Sequence, residues 1–423
     1  MIVPEDGMLI EQDVTFRPGV YYLPRGIRIA ADDITLDGNG AVLVGTNRLG
    51  RGVSIKDHHG ITIKNLTVME YYHGFYLRDC AHLTIANCRA TATDEVAPST
   101  IFLNVWLPVE KAYGGGMLLW NVSDSQFEQN DIQHQMNGMH AYGCQRLTVR
   151  KNLANYCSGW GFHLYETSDS LFEENLADFC CRYHPRSDGP GHVGADAAGF
   201  LVVCRSCRNT FRRNSARLSG DGFFLGGMNP QFEPVGCDEN LFEENDGSYS
   251  PNIAFEATFC SGNIFRNNLA NRCNYGFWLG FSRHTLLEKN QIKGNHQAGI
   301  ATENGFGFQV RHNVFTDNAH GILLWSKRLP ELEAGAPENT TSYDWIIEEN
   351  TFAQNNKAIR IAADQDHGIR PLSRRGEWGL PAPHPHGHVI RANQMEHNPV
   401  NFDLIKAEDT LLEDNQITPK PGK

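Results

Sequence analysis

Eleven times between Phe127 and Asn415 the chain sets an apolar residue, two mostly polar residues and an asparagine in a row, and successive asparagines usually fall 22 or 23 residues apart. Phe127–Asn130, Val149–Asn152, Phe172–Asn175, Leu287–Asn290 and Leu412–Asn415 are examples. A form one residue shorter, Ile63-Lys-Asn65 and Ile85-Ala-Asn87, precedes them with the same 22-residue step. Such a period marks a solenoid, in which one small unit cannot bury its own apolar face and stacks on the next copy. Around Asn290 the unit reads Gly276-Phe-Trp-Leu-Gly-Phe, Thr285-Leu-Leu-Glu-Lys-Asn290 and Gln291-Ile-Lys-Gly-Asn. These are three short strand-like runs divided by Gly, Ser and Asn, with no helical period. Three strands per turn predict an all-β fold, a single-stranded parallel β-helix of roughly fifteen coils. Asparagine tolerates the left-handed turn conformation and its amide can bond the amides above and below, so a ladder of Asn is expected at one tight corner.

The same register sorts inward from outward side chains. Alternation sends positions 2 and 4 after the leading glycine of each coil inward and positions 3 and 5 outward. Position 3 then runs Ser54, Tyr76, Leu118, His140, His163, Leu201, Phe224, Ala254, Trp278, Ala301, Leu323, Arg360. Position 5 runs Lys56, Arg78, Trp120, Tyr142, Tyr165, Val203, Gly226, Glu256, Gly280, Glu303, Trp325. A solvated face without a task collects Thr, Ser, Lys and Asn, whereas His, Tyr, Trp and Glu collect here. A binding groove is expected, with an apolar face covered by loops or by a second subunit as the alternative; a homo-oligomer stays open.

No linker or composition shift cuts the chain. Residues 1–25 are Pro-rich and match no repeat, so they read as an N-terminal cap on a β-helix spanning 26–423. The asparagine step stretches to 39, 31, 37 and 43 residues at four places. The extra residues cluster beside the first strand of the coil, near 94–114, 182–197, 228–238, 327–343 and 364–386. Loops lining one edge point to function.

Charge and cysteine usage narrow the partners. With 37 Lys plus Arg against 49 Asp plus Glu, the formal charge of −12 argues against nucleic acid. No apolar run reaches membrane-span length, and Met1-Ile-Val-Pro-Glu-Asp lacks the basic and apolar regions of a signal peptide, so the chain reads as cytoplasmic. Its 11 cysteines are odd in number, and Cys157, Cys180 and Cys273 each lie five residues after a ladder asparagine. They are read as a reduced column of small core residues. Cys204-Arg-Ser-Cys207 has no second CxxC to complete a zinc site.

The Asn-ending repeats, the Gly-apolar-x-apolar strand starts and the opening Gly26-Ile-Arg-Ile-Ala with Ile34-Thr-Leu-Asp-Gly-Asn39-Gly40 resemble the pectin-lyase-like right-handed parallel β-helix superfamily. The resemblance covers nearly the whole chain and implies its fold. It also implies a carbohydrate-active protein, since lyases, C5-epimerases and hydrolases of glycans share these repeats. The Asp-Pro-His motif of many alginate epimerases is absent, and no catalytic residue carries over by motif.

Three chemistries fit the predicted surface. β-Elimination or epimerisation of a uronic acid needs a base, an acid and a cation. His163, His140, Tyr165 and Tyr142 supply the first two, and Arg182, Arg186 or Arg205 the third. Glycoside hydrolysis or transglycosylation needs two carboxyl groups, for which Glu256 and Glu303 are expected to share a column two coils apart, with Asp188, Asp196, Asp221 and Asp238 as further candidates. Trp120, Trp278 and Trp325 are expected to stack on sugar rings, with Arg182, His184 and Asp188 beside them. A metal site would draw on His384, His386 and His388, or on His184 and His192; the reading assigns no metal and no cofactor. A non-enzymatic β-helix with a protein contact at the aromatics is the remaining alternative.

Overall fold

The computed structural model describes residues 1–97, 101–184, 192–194, 196–333, 335–363 and 383–419, without the side chains of residues 184, 192, 193, 331 and 333. The chain divides into two units, Met1–Gly222 and Phe223–Lys423. In each, three parallel strands per coil wind a β-helix.

In the first unit the first sheet includes Arg51–Lys56, His73–Ala81, Gly115–Ser123, Met139–Tyr142, Trp160–Tyr165 and Ala198–Val203. The second sheet is built from three-residue strands such as Gln126–Glu128, Thr148–Arg150 and Leu171–Glu173, and the third from Val20–Tyr22, Val42–Val44, Thr67–Met69 and Arg89–Thr91. Residues 1–25 already wind: Leu9–Ile10, Val14–Thr15 and Val20–Tyr22 pair with the first, second and third strands of the following coil. In the second unit the first sheet carries Ile253–Thr258, Tyr275–Trp278, Ala298–Glu303, His320–Trp325, Lys357–Ala362 and Val400–Ile405. Among the described residues no helix is long and apolar enough to cross a membrane.

The asparagine ladder is present, with one correction to its conformation. In the first unit Asn130 donates its amide N–H to Asn152 Oδ1 at 2.9 Å, Asn152 to Asn175 at 3.0 Å and Asn175 to Asn214 at 3.0 Å. In the second unit the same bond joins Asn268 to Asn290 at 3.1 Å and Asn290 to Asn313 at 2.9 Å. The left-handed residue is the one before each asparagine, as at Gln129, Lys151, Glu174 and Lys289 (φ 55°, 54°, 56° and 56°). The asparagine itself turns inward and is buried, and its second amide N–H caps a strand carbonyl, as Asn152 does to Phe127 O at 2.9 Å. This pairing is what a buried corner requires, because unbonded amides there cost free energy.

The shorter early form now has a physical reason. Asn65 and Asn87 are themselves the left-handed residues (φ 57° and 51°). Leu66 and Cys88 fill the buried ladder place, and Cys88 N–H donates to Asn130 Oδ1 at 3.0 Å.

A second ladder of Asn295, Asn318, Asn355 and Asn398 runs five residues after the first. Cys273 belongs to the same column, its N–H donating to Asn295 Oδ1 at 3.0 Å. None of the 11 cysteines is held in a disulfide, and nine of them are buried. Inside each unit phenylalanines stack coil on coil: Phe162 on Phe200 at 4.9 Å, and Phe255 on Phe277 at 5.0 Å.

Candidate functional site

On the first sheet the strand pairing reproduces most of the predicted outward columns. Ser54, Tyr76, Leu118, His140, His163 and Leu201 are successive partners, and so are Lys56, Arg78, Trp120, Tyr142, Tyr165 and Val203. In the second unit Trp278, Ala301, Leu323 and Arg360 are successive partners, and Glu303 pairs with Trp325.

One coil departs from the prediction. Glu256 pairs with Trp278 instead of continuing the column of Glu303. Here Ala254, which is 0% exposed, occupies the place of the leading glycine, so a register keyed to glycine slips by two residues. Glu256 and Glu303 are therefore two coils apart and also offset by two residues, about 12 Å between backbones, with Trp278 on the coil between them, directly opposite Glu256 and diagonal to Glu303.

In the first unit the predicted His/Tyr patch exists and is covered. His140 and His163 are 0% and 1% exposed. Tyr142 is buried and donates its hydroxyl to Leu107 O at 3.4 Å. Val109 and Ala112 pack over Tyr76, Leu118 and Tyr142, while Tyr165 stays half-buried. The expectation of an open groove over these histidines is thus corrected, because the insertion near 94–114 lies on the apolar outer face.

Beneath that cover His140 Nδ1 and His163 Nδ1 are 3.0 Å apart, so one donates and the other accepts. Burial pushes His140 down to about 4 and His163 well below the usual histidine range. Both rings are neutral at pH 7.

His73, which the two columns did not contain, completes the cluster with its ring 6.5 Å from that of His140. It pairs with Gly115 on the next strand, one residue before the leading glycine. A third outward column counted from that place would have found it, together with Trp160, which pairs with Ala198.

Arg182 and Asp196 also lie inside this covered region. Their side chains are 3% and 0% exposed and stand 3.7 Å apart. Asp196 accepts the Leu103 N–H at 2.8 Å and, through its carbonyl, the Trp160 indole N–H at 3.0 Å. Arg182 donates to Ala97 O and Ile101 O at 3.5 and 3.4 Å. The pair tethers the cover, so the placement of Arg182 in an open groove is corrected as well. Trp120 is half-buried, and the Arg78 guanidinium covers its ring at 3.9 Å.

The second unit is open where the first is covered. A cavity of about 360 Å³ lies on its first sheet, floored by Thr258, Trp278, Gly280 and Glu303. Two insertions supply the walls, Met228, Asn229 and Phe232 from one and Leu329 with Leu332 from the other. They meet closely, since a Cβ on Gly335 would lie 2.5 Å from Phe232 O and 2.8 Å from Met228 Cε.

Asn304, left-handed at φ 50°, holds one wall: its amide donates to Lys327 O at 2.7 Å and accepts Lys327 N–H at 2.8 Å. Its carbonyl accepts the Asn339 amide at 2.8 Å. Trp325 is 4% exposed, which removes it from the predicted stacking row. It backs Trp278 instead, ring to ring at 5.6 Å, and Tyr275 braces the same indole at 4.9 Å. Gly280 leaves a hollow, since a Cβ there would meet only Trp278 Nε1, at 3.6 Å.

The other candidates disperse. Arg205 is exposed on a left-handed turn, Asp221 is buried, and Asp238 accepts the Ser261 N–H at 2.7 Å. His384 pairs with Glu408 at 2.5 Å, the His386 ring stacks on Tyr343 at 5.4 Å, and His388 is fully buried and pushed down to about 3. Among the described residues no group of three or more His, Cys, Asp or Glu is arranged to hold a metal ion. Arg186 and Asp188 lie outside the described residues, as do the side chains of His184 and His192 and the 364–382 part of the last insertion.

The family model for the right handed beta helix region matches residues 51–216, 107–245 and 229–334, and the chain belongs to that family. No curated protein matches the chain. Among solved structures it is similar to the A-module of the Azotobacter vinelandii mannuronan C-5 epimerase AlgE6, at 14% identity over 97% of this chain and 91% of that one, with a TM-score of 0.44. It is also similar to the periplasmic alginate epimerase AlgG, at 9% identity over 96% and 84% of the chains and a TM-score of 0.47. A mannuronic acid specific polysaccharide family 6 lyase from human gut microbiota follows at 12% identity, 96% and 82% coverage and a TM-score of 0.45.

Proposed function

We propose that the protein is a carbohydrate-active enzyme that cleaves or transfers a glycosidic bond in the Trp278 cleft, using Glu303 and Glu256 as its carboxyl pair. The observation that carries this reading is the cavity in which an indole and a carboxyl group share one floor between two insertions. A partly exposed indole presents an apolar face to the C–H surface of a sugar ring. With Glu256 opposite Trp278 on one neighbouring strand and Glu303 diagonal to it on the other side, a sugar on that indole has a carboxyl group at either flank. One protonates the departing oxygen and the other takes a proton from water, and two carboxyl side chains that reach toward a sugar on Trp278 from separate coils leave room for that water, the arrangement of inversion.

Elimination or epimerisation by His163 and His140 needs the segment around Leu107–Ala112 to lift first, whereas Trp278 and Glu303 line a cavity. The test is product analysis on a panel of neutral and acidic glycans with wild type, Glu303→Gln and His163→Ala. New reducing ends that vanish in Glu303→Gln and persist in His163→Ala support the reading. An unsaturated uronate that vanishes in His163→Ala overturns it.

A further inference from the structure

We propose that the cavity beside Glu303 is an aglycone site, which takes the apolar aryl or alkyl group of a small glycoside while the sugar ring lies against Trp278. The inference rests on the glycosidic-bond reading above and names its substrate class. Apart from its floor, the cavity is walled, among the described residues, by Met228, Phe232, Phe259, Phe281, Leu329 and Leu332, with Asn229 as the one polar side chain of that described wall. A sugar ring carries a hydroxyl on most of its carbons, and each one buried there without a partner costs affinity. An aromatic ring or short alkyl chain has no such requirement and gains from every apolar contact. At about 360 Å³ the cavity suits one such group rather than a run of sugars.

The walls are braced before any ligand arrives. Gly335 lets the two insertions close on each other at Phe232 and Met228, and Asn304 bonds both ends of the second insertion's base. A preformed wall spares the ordering cost on binding.

This orientation also assigns the carboxyl roles. Glu303 lines the cavity and so stands at the leaving oxygen: its carboxylic proton passes to that oxygen as the C–O bond breaks, and the aglycone departs as an alcohol or phenol. Glu256, across Trp278, accepts a proton from the water whose oxygen bonds to the anomeric carbon. The products are the free sugar and the aglycone alcohol, and the next turnover begins once the proton returns to Glu303 through solvent.

The experiment titrates the full chain with the neutral apolar fluorophore N-phenyl-1-naphthylamine and displaces it with matched methyl, phenyl and octyl glycosides of several hexoses. One probe per chain is expected, displaced by phenyl and octyl glycosides at concentrations about 10-fold or more below the methyl ones. Phe232→Ser and Leu332→Ser, both in the insertions, are expected to weaken the probe by about 10-fold with unchanged melting. No saturable probe binding, equal binding in both variants, or equal displacement by methyl glycosides would overturn the proposal. Cleavage of methyl and phenyl glycosides with equal kcat/KM removes the aglycone site and leaves the Glu303 reading intact. The predicted probe behaviour with no Glu303-dependent cleavage removes the catalytic reading and leaves the apolar site.

Discussion

Glu256 and Trp278 stand opposite each other on neighbouring strands of the second unit's first sheet, so a carboxylate and an indole rise side by side from one face. That adjacency, with Glu303 on the far diagonal, makes Trp278 the expected centre of sugar binding. Trp278→Ala should weaken glycan or glycoside binding by ~10-fold or more, since the stacking face and its burial are lost together. Titration followed by calorimetry checks it, and Trp120→Ala, whose ring is already covered by Arg78, should leave affinity unchanged.

Gly280→Leu offers a separate route to the same cleft. Only Trp278 Nε1 lies near a Cβ built at this position, so the new side chain projects into the hollow without meeting backbone. Ligand binding should be lost while the thermal melting temperature stays within a degree or two of wild type. A folded variant that still binds would place the ligand outside this cleft.

The two kinds of asparagine predict two different costs. Asn290→Ala removes the amide that accepts from Asn268 and donates to Asn313, leaving buried groups unpaired on both neighbouring coils. The expected loss is about 3 kcal/mol. Asn65→Ala changes a left-handed turn residue outside the buried ladder and should cost about 1 kcal/mol. Denaturant melts of the two variants decide the order.

Acid should loosen the first unit before it reaches ordinary carboxylate pKa values. A histidine held neutral by burial has a folded pKa below its unfolded value of about 6.5. The unfolded state therefore binds more protons below that pH, and stability, complete above it, falls with pH until the folded value is passed. For His140, pushed down to about 4, the loss over that window is roughly 3 kcal/mol. His163 and His73 shift in the same direction. Denaturation at pH 7, 6, 5 and 4 should show this slope in wild type and a shallower one in His140→Gln.

The sequence carried the fold further than it carried the site. A 22-residue step needs only local chemistry to be read, because each coil repeats its inward residues, and both outward columns followed from it from Ser54 to Leu201 and from Lys56 to Val203. The register slipped at Ala254, where a methyl group replaces that glycine and the repeat loses its marker. The insertions were visible as broken steps, and those near 228–238 and 327–343 do flank the cleft. Which insertion covers a face and which walls a cavity was not visible. That depends on long-range contacts, such as Tyr142 with Leu107 and Gly335 with Phe232, that no periodicity encodes. The ladder asparagines were found by spacing, while the left-handed residue proved to be their predecessor, because a buried amide ladder needs its asparagine pointing inward.

The most direct test of the central claim is the rate of glycosidic cleavage by Glu303→Gln beside wild type, on whichever glycan or aryl glycoside of the panel wild type cleaves. The variant keeps the shape of the side chain and removes its ability to exchange a proton. A fall in kcat of about 1000-fold with substrate affinity and melting temperature retained is the predicted result. Full activity in Glu303→Gln would contradict the account.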